Sequence, residues 1–155
     1  MAKIDTILAH AEKTCRERGV KLTAKRRQVL AGLLSEGRAL SAYELVDVCR
    51  ERFDTPIPVM SAYRILAFLE GENLVHKLHL ANKYVACSHI SCDHAHEVPQ
   101  FLICDQCGSV KEIGIQKSLI NRLRQDVAKA DYVLQSPQLE LHCLCKACAA
   151  EKAVS

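Results

Sequence analysis

The sequence predicts an α+β protein of two modules, in which helices and a β-hairpin precede a small α/β unit. Four helical patterns come before two strand-like runs in the first half, and strand-like runs surround one helix in the second. Seven of the nine cysteines lie at or after Cys87. Residues 1–86 carry 14 Lys and Arg against 10 Asp and Glu, whereas residues 87–155 carry 7 against 8. A mildly basic front and a neutral, thiol-rich back indicate two modules with different functions.

The first two helices are predicted from apolar spacing and from the residues that end helices. Apolar side chains recur at helical spacing over residues 4–18, and Gly19 ends that pattern. Thr23 is the predicted N-cap of a second helix, which Gly37 ends.

The third and fourth helices flank a segment that contains two prolines. Ser41 and Glu44 have the spacing of a capping box, so a helix is expected to start there. Residues 54–58 cannot be helical, because each proline also restricts the residue before it. Apolar residues at helical spacing over residues 62–69 predict a fourth helix that ends near Gly71.

A β-hairpin is predicted after these helices. Strand-like runs at residues 74–78 and 83–87 surround a turn that contains Ala81 and Asn82. Short helices followed by a hairpin have the order of a winged helix-turn-helix. Residues 88–100 are rich in Ser, His, Asp, Cys and Pro, which indicates a linker.

The second module is predicted to contain three strands and one amphipathic helix. The strands lie at residues 101–104, 110–113 and 139–141, and the helix at residues 116–130. The predicted boundaries are 1–87 for the winged-helix domain, 88–100 for the linker and 101–155 for the second domain.

The composition is that of a soluble globular protein. The chain has 155 residues, of which 49% are hydrophobic and 25% charged. No apolar run approaches the length of a membrane span, and the first residues lack a signal-peptide core. We therefore expect a cytoplasmic protein without a membrane partner. In a reducing cytosol nine cysteines indicate metal binding or thiol chemistry rather than disulfides.

The sequence lacks several common catalytic motifs. A zinc deaminase requires H-x-E and P-C-x-x-C, but His96 and Glu97 are adjacent and Ile103 precedes Cys104. The motifs H-E-x-x-H and G-x-S-x-G and the glycine-rich phosphate loops are also absent. We therefore expect neither an enzyme nor a small-molecule substrate.

Two C-x-x-C pairs are the strongest local signal. Cys104 with Cys107 and Cys145 with Cys148 have the spacing that lets both thiols of a tight turn reach one ion. Four such thiols predict structural zinc, which a small module needs to hold its core. Redox thiols and coincidence are the alternatives. A redox pair belongs at a helix N-terminus, whereas a glycine-containing turn between two strands follows Cys104.

A second set of possible metal ligands is scattered along the chain. His76 and Cys87 lie on the two arms of the hairpin, and Glu112 follows the first cysteine pair. Spacing alone equally allows ordinary surface histidines. Further donors in the linker are His89, Cys92, His94 and His96.

A third set of residues is basic. Arg64 lies opposite the apolar face near the start of the fourth helix, where a recognition helix presents base-reading side chains. Lys25, Arg26 and Arg27 at the start of the second helix could hold phosphates. A solvated helix face is the alternative.

Taken together, these motifs resemble the ferric uptake regulator superfamily, and most closely its zinc uptake regulator branch, over about residues 4–150. They are Val20-Lys-Leu-Thr-Ala-Lys-Arg26, Leu40-Ser-Ala-Tyr43-Glu-Leu, Ser61-Ala-Tyr63-Arg64, Leu74-Val-His76-Lys, Asn82-Lys-Tyr-Val-Ala-Cys87, Phe101-Leu-Ile-Cys104-Asp-Gln-Cys107-Gly and Leu144-Cys145-x-x-Cys148.

The resemblance implies a homodimeric, zinc-bound repressor with a C-terminal dimerisation domain. Such a repressor binds double-stranded, AT-rich palindromic operators of zinc-uptake genes, and we expect two zinc ions per subunit. The implied structural ligands are Cys104, Cys107, Cys145 and Cys148. The implied regulatory ligands are His76, Cys87, Glu112 and a linker histidine, His96 or alternatively His94. The implied DNA contacts are Tyr43 and Arg64, with Tyr63, Ser61, Lys25, Arg26 and Arg27 as further candidates.

Three alternatives follow from the same residues. One thiolate, two imidazoles and one carboxylate favour zinc, whereas the ferric branch lacks a cysteine at the position of Cys87. Within the superfamily, the nearest alternative to a zinc-responsive regulator is an iron-responsive or a peroxide-responsive one. A zinc or thiol protein that does not bind DNA is the third, and His89 with Cys92 could build a further metal site.

Overall fold

The structure is a computed structural model that describes residues 2–88, 90 and 99–154, with the backbone alone at residues 2 and 154. The chain divides into two compact units, Met1–Asp93 and His94–Ser155. The domain boundaries given above stay predictions. No helix among the described residues is long and apolar enough to cross a membrane.

Four helices build the first unit, and their ends follow the predicted signals. They are α1 (Ala2–Glu17), α2 (Ala24–Glu36), α3 (Ala42–Phe53) and α4 (Val59–Gly71). The Thr23 hydroxyl accepts a hydrogen bond from the Arg26 amide, and Gly37 adopts a left-handed φ of 63° after α2. Both hydrogen bonds of the capping box between Ser41 and Glu44 are present.

An antiparallel hairpin, here called the wing, follows α4. It consists of β1 (Val75–Leu78) and β2 (Lys83–Ala86), with His76 opposite Val85. A β-bridge adds Leu40 to the wing: its amide donates to the Tyr84 carbonyl at 3.0 Å, and the Tyr84 amide donates back at 2.8 Å. The chain before α3 therefore pairs with the wing as a third, one-residue strand.

The core of the first unit is large and aliphatic. It combines buried side chains of all four helices and the wing, including Leu30, Leu45, Leu66 and Val75. Helices α2 and α3 approach closely at Gly32, where an added Cβ would lie 3.2 Å from Leu45 Cδ1. This core positions α4 and the wing on one rigid body.

The second unit is a three-stranded sheet with two helices. Its elements are β3 (Pro99–Cys104), β4 (Val110–Gly114), α5 (Lys117–Lys129), β5 (Glu140–Cys143) and α6 (Lys146–Val154). Strand β3 lies in the middle, antiparallel to β4 and parallel to β5. The three strands and α5 match the predicted elements to within a few residues. Helix α6 was not predicted.

The second unit has a small core. Among its described residues, the buried apolar side chains are Phe101, Cys104, Ile120 and Cys148, and the buried polar side chain is Gln100. The Gln100 amide group donates to the Pro137 carbonyl at 2.9 Å and accepts from the Leu139 amide, which fixes the chain as it enters β5.

Candidate metal centre and nucleic-acid interface

The four cysteines of the two C-x-x-C pairs converge within the second unit. Cys104 ends β3 and Cys107 lies in the turn before β4, whereas Cys145 and Cys148 lie at the junction of β5 and α6. Their sulfur atoms all lie within 4.8 Å of one another. The parallel pairing of β3 with β5, which places Cys104 beside Cys143, brings the two pairs together.

The first turn is shaped by the backbone around its two thiols. The Gly108 amide donates to the Cys104 carbonyl at 3.0 Å, and Gly108 has a φ of 76° that other residues rarely adopt. At the second pair, the Cys145 amide points at Cys104 Sγ at 3.4 Å, and the Cys148 amide points at Cys145 Sγ at 3.5 Å. Amides directed at sulfur stabilise thiolates.

The proton affinities of the four thiols are unequal. Backbone amides, first of Cys107 and then of Cys145, lower the pKa of Cys104 to about 6. The Ser109 hydroxyl lowers the pKa of Cys107, whereas the hydrogen bond with Cys145 raises that of Cys148. The cluster thus already contains groups that favour the thiolate, the form in which cysteine binds metal.

The donor set and its dimensions fit zinc. Four thiolates at a zinc–sulfur bond of about 2.3 Å would lie about 3.8 Å apart in a tetrahedron. The Cys107 and Cys145 sulfur atoms are 3.8 Å apart. A fifth cysteine, Cys143, is half-buried beside the cluster and belongs to neither predicted ligand set.

Two of the predicted regulatory ligands lie close together in the first unit. His76 is on β1 and Cys87 directly follows β2, and their ligand atoms lie within 4.8 Å of each other. The Cys87 amide donates to the Leu74 carbonyl at 2.9 Å, which fixes the buried thiol at the base of the wing. Glu112 lies half-buried on β4 of the second unit. The remaining predicted ligands and donors, His89, Cys92, His94 and His96, lie outside the described residues.

The predicted base-reading residues differ in exposure. Tyr43 at the start of α3 is 65% exposed, and Arg64 on α4 is exposed. Tyr63 packs partly against the core, and Ser61 is half-buried. Because Tyr43 and Arg64 extend into solvent from a rigid helical framework, they are available to a ligand.

The three cations predicted at the start of α2 have different surroundings. Lys25 is exposed. The Arg26 guanidinium lies 3.7 Å from the centre of the Phe68 ring and donates to the Lys21 carbonyl at 2.8 Å. Arg27 is half-buried and lines a cavity of about 500 Å³ between α1, α2 and α3. Arg26 therefore connects α2 to α4 within the unit.

One charged cluster near Tyr43 was not predicted from the sequence, in which Glu44 has only a capping role. The Glu44 carboxylate accepts from Arg38 Nη1 at 2.9 Å and from Lys83 Nζ at 3.2 Å. These contacts, first that of Arg38, lower the pKa of Glu44 to about 2. Lys83 lies far from the other two residues in sequence, so no spacing could have indicated the contact of all three.

Comparison with known proteins shows what the chain is similar to. The profile of the ferric uptake regulator family matches residues 17–150. The zinc uptake regulation protein of Escherichia coli (strain K12) is 38% identical over 142 residues, which are 92% of this chain and 81% of that protein.

Two solved structures extend this similarity to the fold. A zinc uptake regulator complexed with zinc and DNA superposes with a TM-score of 0.82 at 34% identity, and 97% of each chain is covered. The structure of holo XcZur has a TM-score of 0.78 at 35% identity and covers 94% of this chain and 98% of that chain. The predicted fold class, a winged helix-turn-helix followed by a small α/β domain with a four-cysteine cluster, is confirmed.

Proposed function

The chain belongs to the ferric uptake regulator family, and we propose that it is a zinc-responsive transcriptional repressor that binds double-stranded DNA as a homodimer. The observation that carries this proposal is the four-cysteine cluster, which fits zinc, in a chain similar throughout to zinc uptake regulators. The proposed targets are AT-rich palindromic operators of zinc-uptake genes.

Cys104, Cys107, Cys145 and Cys148 are the proposed ligands of a structural zinc. When bound, the ion links the β3–β4 turn to the start of α6 and supplies stability that the small core lacks. The amides directed at Cys104 and Cys145 hold these sulfur atoms in place. Redox cycling is the rival role for these thiols. The position of Cys145 before α6 resembles a redox pair more than the sequence indicated, but four converging thiols favour a metal.

His76 and Cys87 are proposed to belong to a second, regulatory zinc site. Their nearness supports a shared ion, and Glu112 with His96, or alternatively His94, completes the proposed set. One thiolate, two imidazoles and one carboxylate suit four-coordinate zinc. This gives two zinc ions per subunit.

The proposed switch acts through the wing. Since His76 and Cys87 are fixed to β1 and β2, a zinc ion that they share with ligands outside the wing restricts where the first unit can lie. The two recognition helices of a dimer then sample a narrower range of separations. The separations that match both half-sites become more populated. About a hundredfold gain in operator affinity requires about 2.7 kcal/mol of differential zinc binding.

DNA recognition is assigned to α4 and to the start of α3. Arg64 is the proposed base-reading residue, because an exposed guanidinium on a recognition helix matches the edge of guanine. Ser61 and Tyr63 lie on the same helix as Arg64, and Tyr43 lies at the start of α3. Lys25 and Arg27 are proposed phosphate contacts, and Arg26 is retained as a candidate although its guanidinium contacts Phe68.

The proposed dimer surface lies on the second unit. Several of its apolar side chains are exposed, among them Leu119 on α5 at 55% and Val133 at 82%. Only Ile120 of the apolar stripe on α5 is buried within the unit. Exposed apolar side chains on this unit support the proposal that it forms the interface between two subunits.

The test is fluorescence anisotropy of a labelled AT-rich palindromic duplex with buffered free zinc. Cys87→Ser is expected to abolish zinc-dependent binding and leave the dimer intact. Cys49→Ser is the matched control, since Cys49 is equally buried in the same unit and is not a proposed ligand.

Each outcome distinguishes between the candidate functions. Binding that responds to ferrous iron or peroxide instead of zinc would place the protein among the other regulators of the family. Absence of binding to any duplex selected from a random pool would favour the zinc or thiol protein that does not bind DNA. Zinc-dependent binding by Cys87→Ser would refute the proposed switch.

A further inference from the structure

Glu44 joins three parts of the first unit at one corner. Its carboxylate accepts from Arg38 before α3, from Lys83 on the wing, and from the Ser41 amide at 3.2 Å. The Ser41 hydroxyl in turn accepts from the Glu44 amide at 3.1 Å. One side chain thus links the end of α3 that carries Tyr43 to β2 of the wing.

The backbone makes a second link at the same corner. Leu40 and Tyr84 exchange two hydrogen bonds, and they are the immediate neighbours of Ser41 and Lys83. A bridge of one residue pair restrains a hairpin only weakly. The ion pairs of Glu44 beside it add a second restraint on the position of the wing. The wing is therefore linked to the start of α3 by one residue bridge and by one carboxylate, in addition to the burial of Val75 and Tyr84 in the core.

Stability alone is a weak reason for a carboxylate at this place. The side chains of Glu44, Arg38 and Lys83 are 36%, 48% and 37% exposed, and ion pairs at such exposure are individually weak. Glu44 also follows Tyr43 directly, so its negative charge would repel the phosphates of bound DNA. It additionally engages Lys83 and Arg38, of which Arg38 also lies 3.6 Å from the Glu36 carboxylate.

We infer that Glu44 is a positioning residue for DNA recognition, which holds the wing against the start of α3 so that Tyr43 and the wing meet DNA in a fixed arrangement. The inference rests on the proposed DNA-binding function. It differs from capping, because the cap requires only the Ser41 contacts. It differs from phosphate binding, because Glu44 itself cannot contact an anion favourably.

The first experiment measures the wing without DNA. Glu44→Gln keeps an oxygen for the Ser41 amide but removes the negative charge that attracts Arg38 and Lys83. Amide hydrogen exchange at Leu40 and Tyr84 is expected to become about fivefold faster. Glu51→Gln, which removes an exposed charge from the same helix outside this cluster, is expected to change neither rate.

The second experiment compares two DNA probes with zinc-loaded protein. One is the duplex that the unaltered protein selects from a random pool, and the other is a scrambled duplex of equal length. Removing a negative charge should strengthen binding to the scrambled duplex in both variants, and more in Glu44→Gln, because that change also releases Arg38 and Lys83. Only Glu44→Gln is expected to lower the ratio of specific to non-specific affinity, by about fivefold.

The outcomes separate this inference from the proposed function. Unchanged exchange at Leu40 and Tyr84, or an unchanged specificity ratio, would overturn the positioning role. A Glu44→Gln protein that binds both duplexes more tightly than Glu51→Gln, at an unchanged ratio of specific to non-specific affinity, would show that Glu44 only neutralises cations. If the unaltered protein selects no duplex, the proposed function and the DNA role of Glu44 both fail, while exchange still decides whether Glu44 holds the wing.

Discussion

Removal of zinc from the four-cysteine cluster is expected to unfold the second unit and leave the first unit folded. The buried apolar side chains described in the second unit are Phe101, Ile120 and two cysteines of the proposed zinc site, Cys104 and Cys148. Burying Phe101 and Ile120 contributes about 1.5–3 kcal/mol each. Structural zinc contributes about 10–16 kcal/mol in small domains at neutral pH. The ion is therefore expected to contribute more to the stability of the second unit than the burial of Phe101 and Ile120 together. The first unit, by contrast, has an extensive aliphatic core of its own.

The measurement is hydrogen exchange followed by mass spectrometry, before and after chelation under reducing conditions. Peptides from α5 around Ile120 should lose protection, and peptides from α4 around Leu66 should keep it. Cys107→Ser should resemble the chelated protein, whereas Cys143→Ser, half-buried beside the cluster, should resemble the zinc-bound one. Full protection of α5 in protein shown to contain no zinc would refute this account of the second unit.

Three further changes affect the first unit. Gly32→Val is expected to lower its free energy of unfolding by about 1–3 kcal/mol in urea titrations, because an added Cβ already lies 3.2 Å from Leu45 Cδ1. The pKa of Glu44 is held at about 2, mainly by Arg38, against a usual value of 4.5, so its stabilising effect is complete above pH 4.5 and lost as the pH falls toward 2. Glu44→Gln should therefore cost about 1 kcal/mol or less at pH 7 and only a small part of that at pH 2, where about half of the folded molecules already carry a protonated Glu44. An equal cost at both pH values would contradict this. Arg64→Ala should reduce the preference for operator over random DNA more than the general affinity, as competition binding would show.

Local signals were enough to predict the helices of the first unit. Thr23, Gly37 and the Ser41–Glu44 box each specify a helix end through contacts within a few residues, and the structure contains them. The wing could also be predicted from local signals, because its two strands are joined by a short turn in which Asn82 adopts a left-handed φ of 50°. Spacing also indicated that the two thiols within each pair lie close together, whereas the two pairs meet because β5 pairs in parallel with β3.

Non-local pairing and weak patterns explain what the sequence did not predict. Strand β5 pairs in parallel with β3 across the whole of α5, and no local signal reports that partner. In helix α6, Cys148 is buried and its neighbours are exposed, so the helix has no apolar stripe that a sequence pattern could show. Its first turn also overlaps the second C-x-x-C pair, which was interpreted only as a metal-binding motif. The contact of Glu44 with Lys83 depends on the same kind of long-range meeting.

The basic residues predicted as one DNA-binding surface divide according to their contacts. Arg26 lies on the Phe68 ring of α4 and donates to the Lys21 carbonyl, so its loss would loosen the packing of α2 on α4, the proposed recognition helix. Arg64 extends into solvent and is free to read a base. Substitutions at the two sites should both weaken DNA binding, but for different reasons: Arg26→Ala through reduced stability of the first unit, and Arg64→Ala at unchanged stability. A sequence pattern records only charge and spacing, and it is the contact with Phe68 that distinguishes Arg26, which packs within the unit, from Arg64, the proposed base-reading arginine.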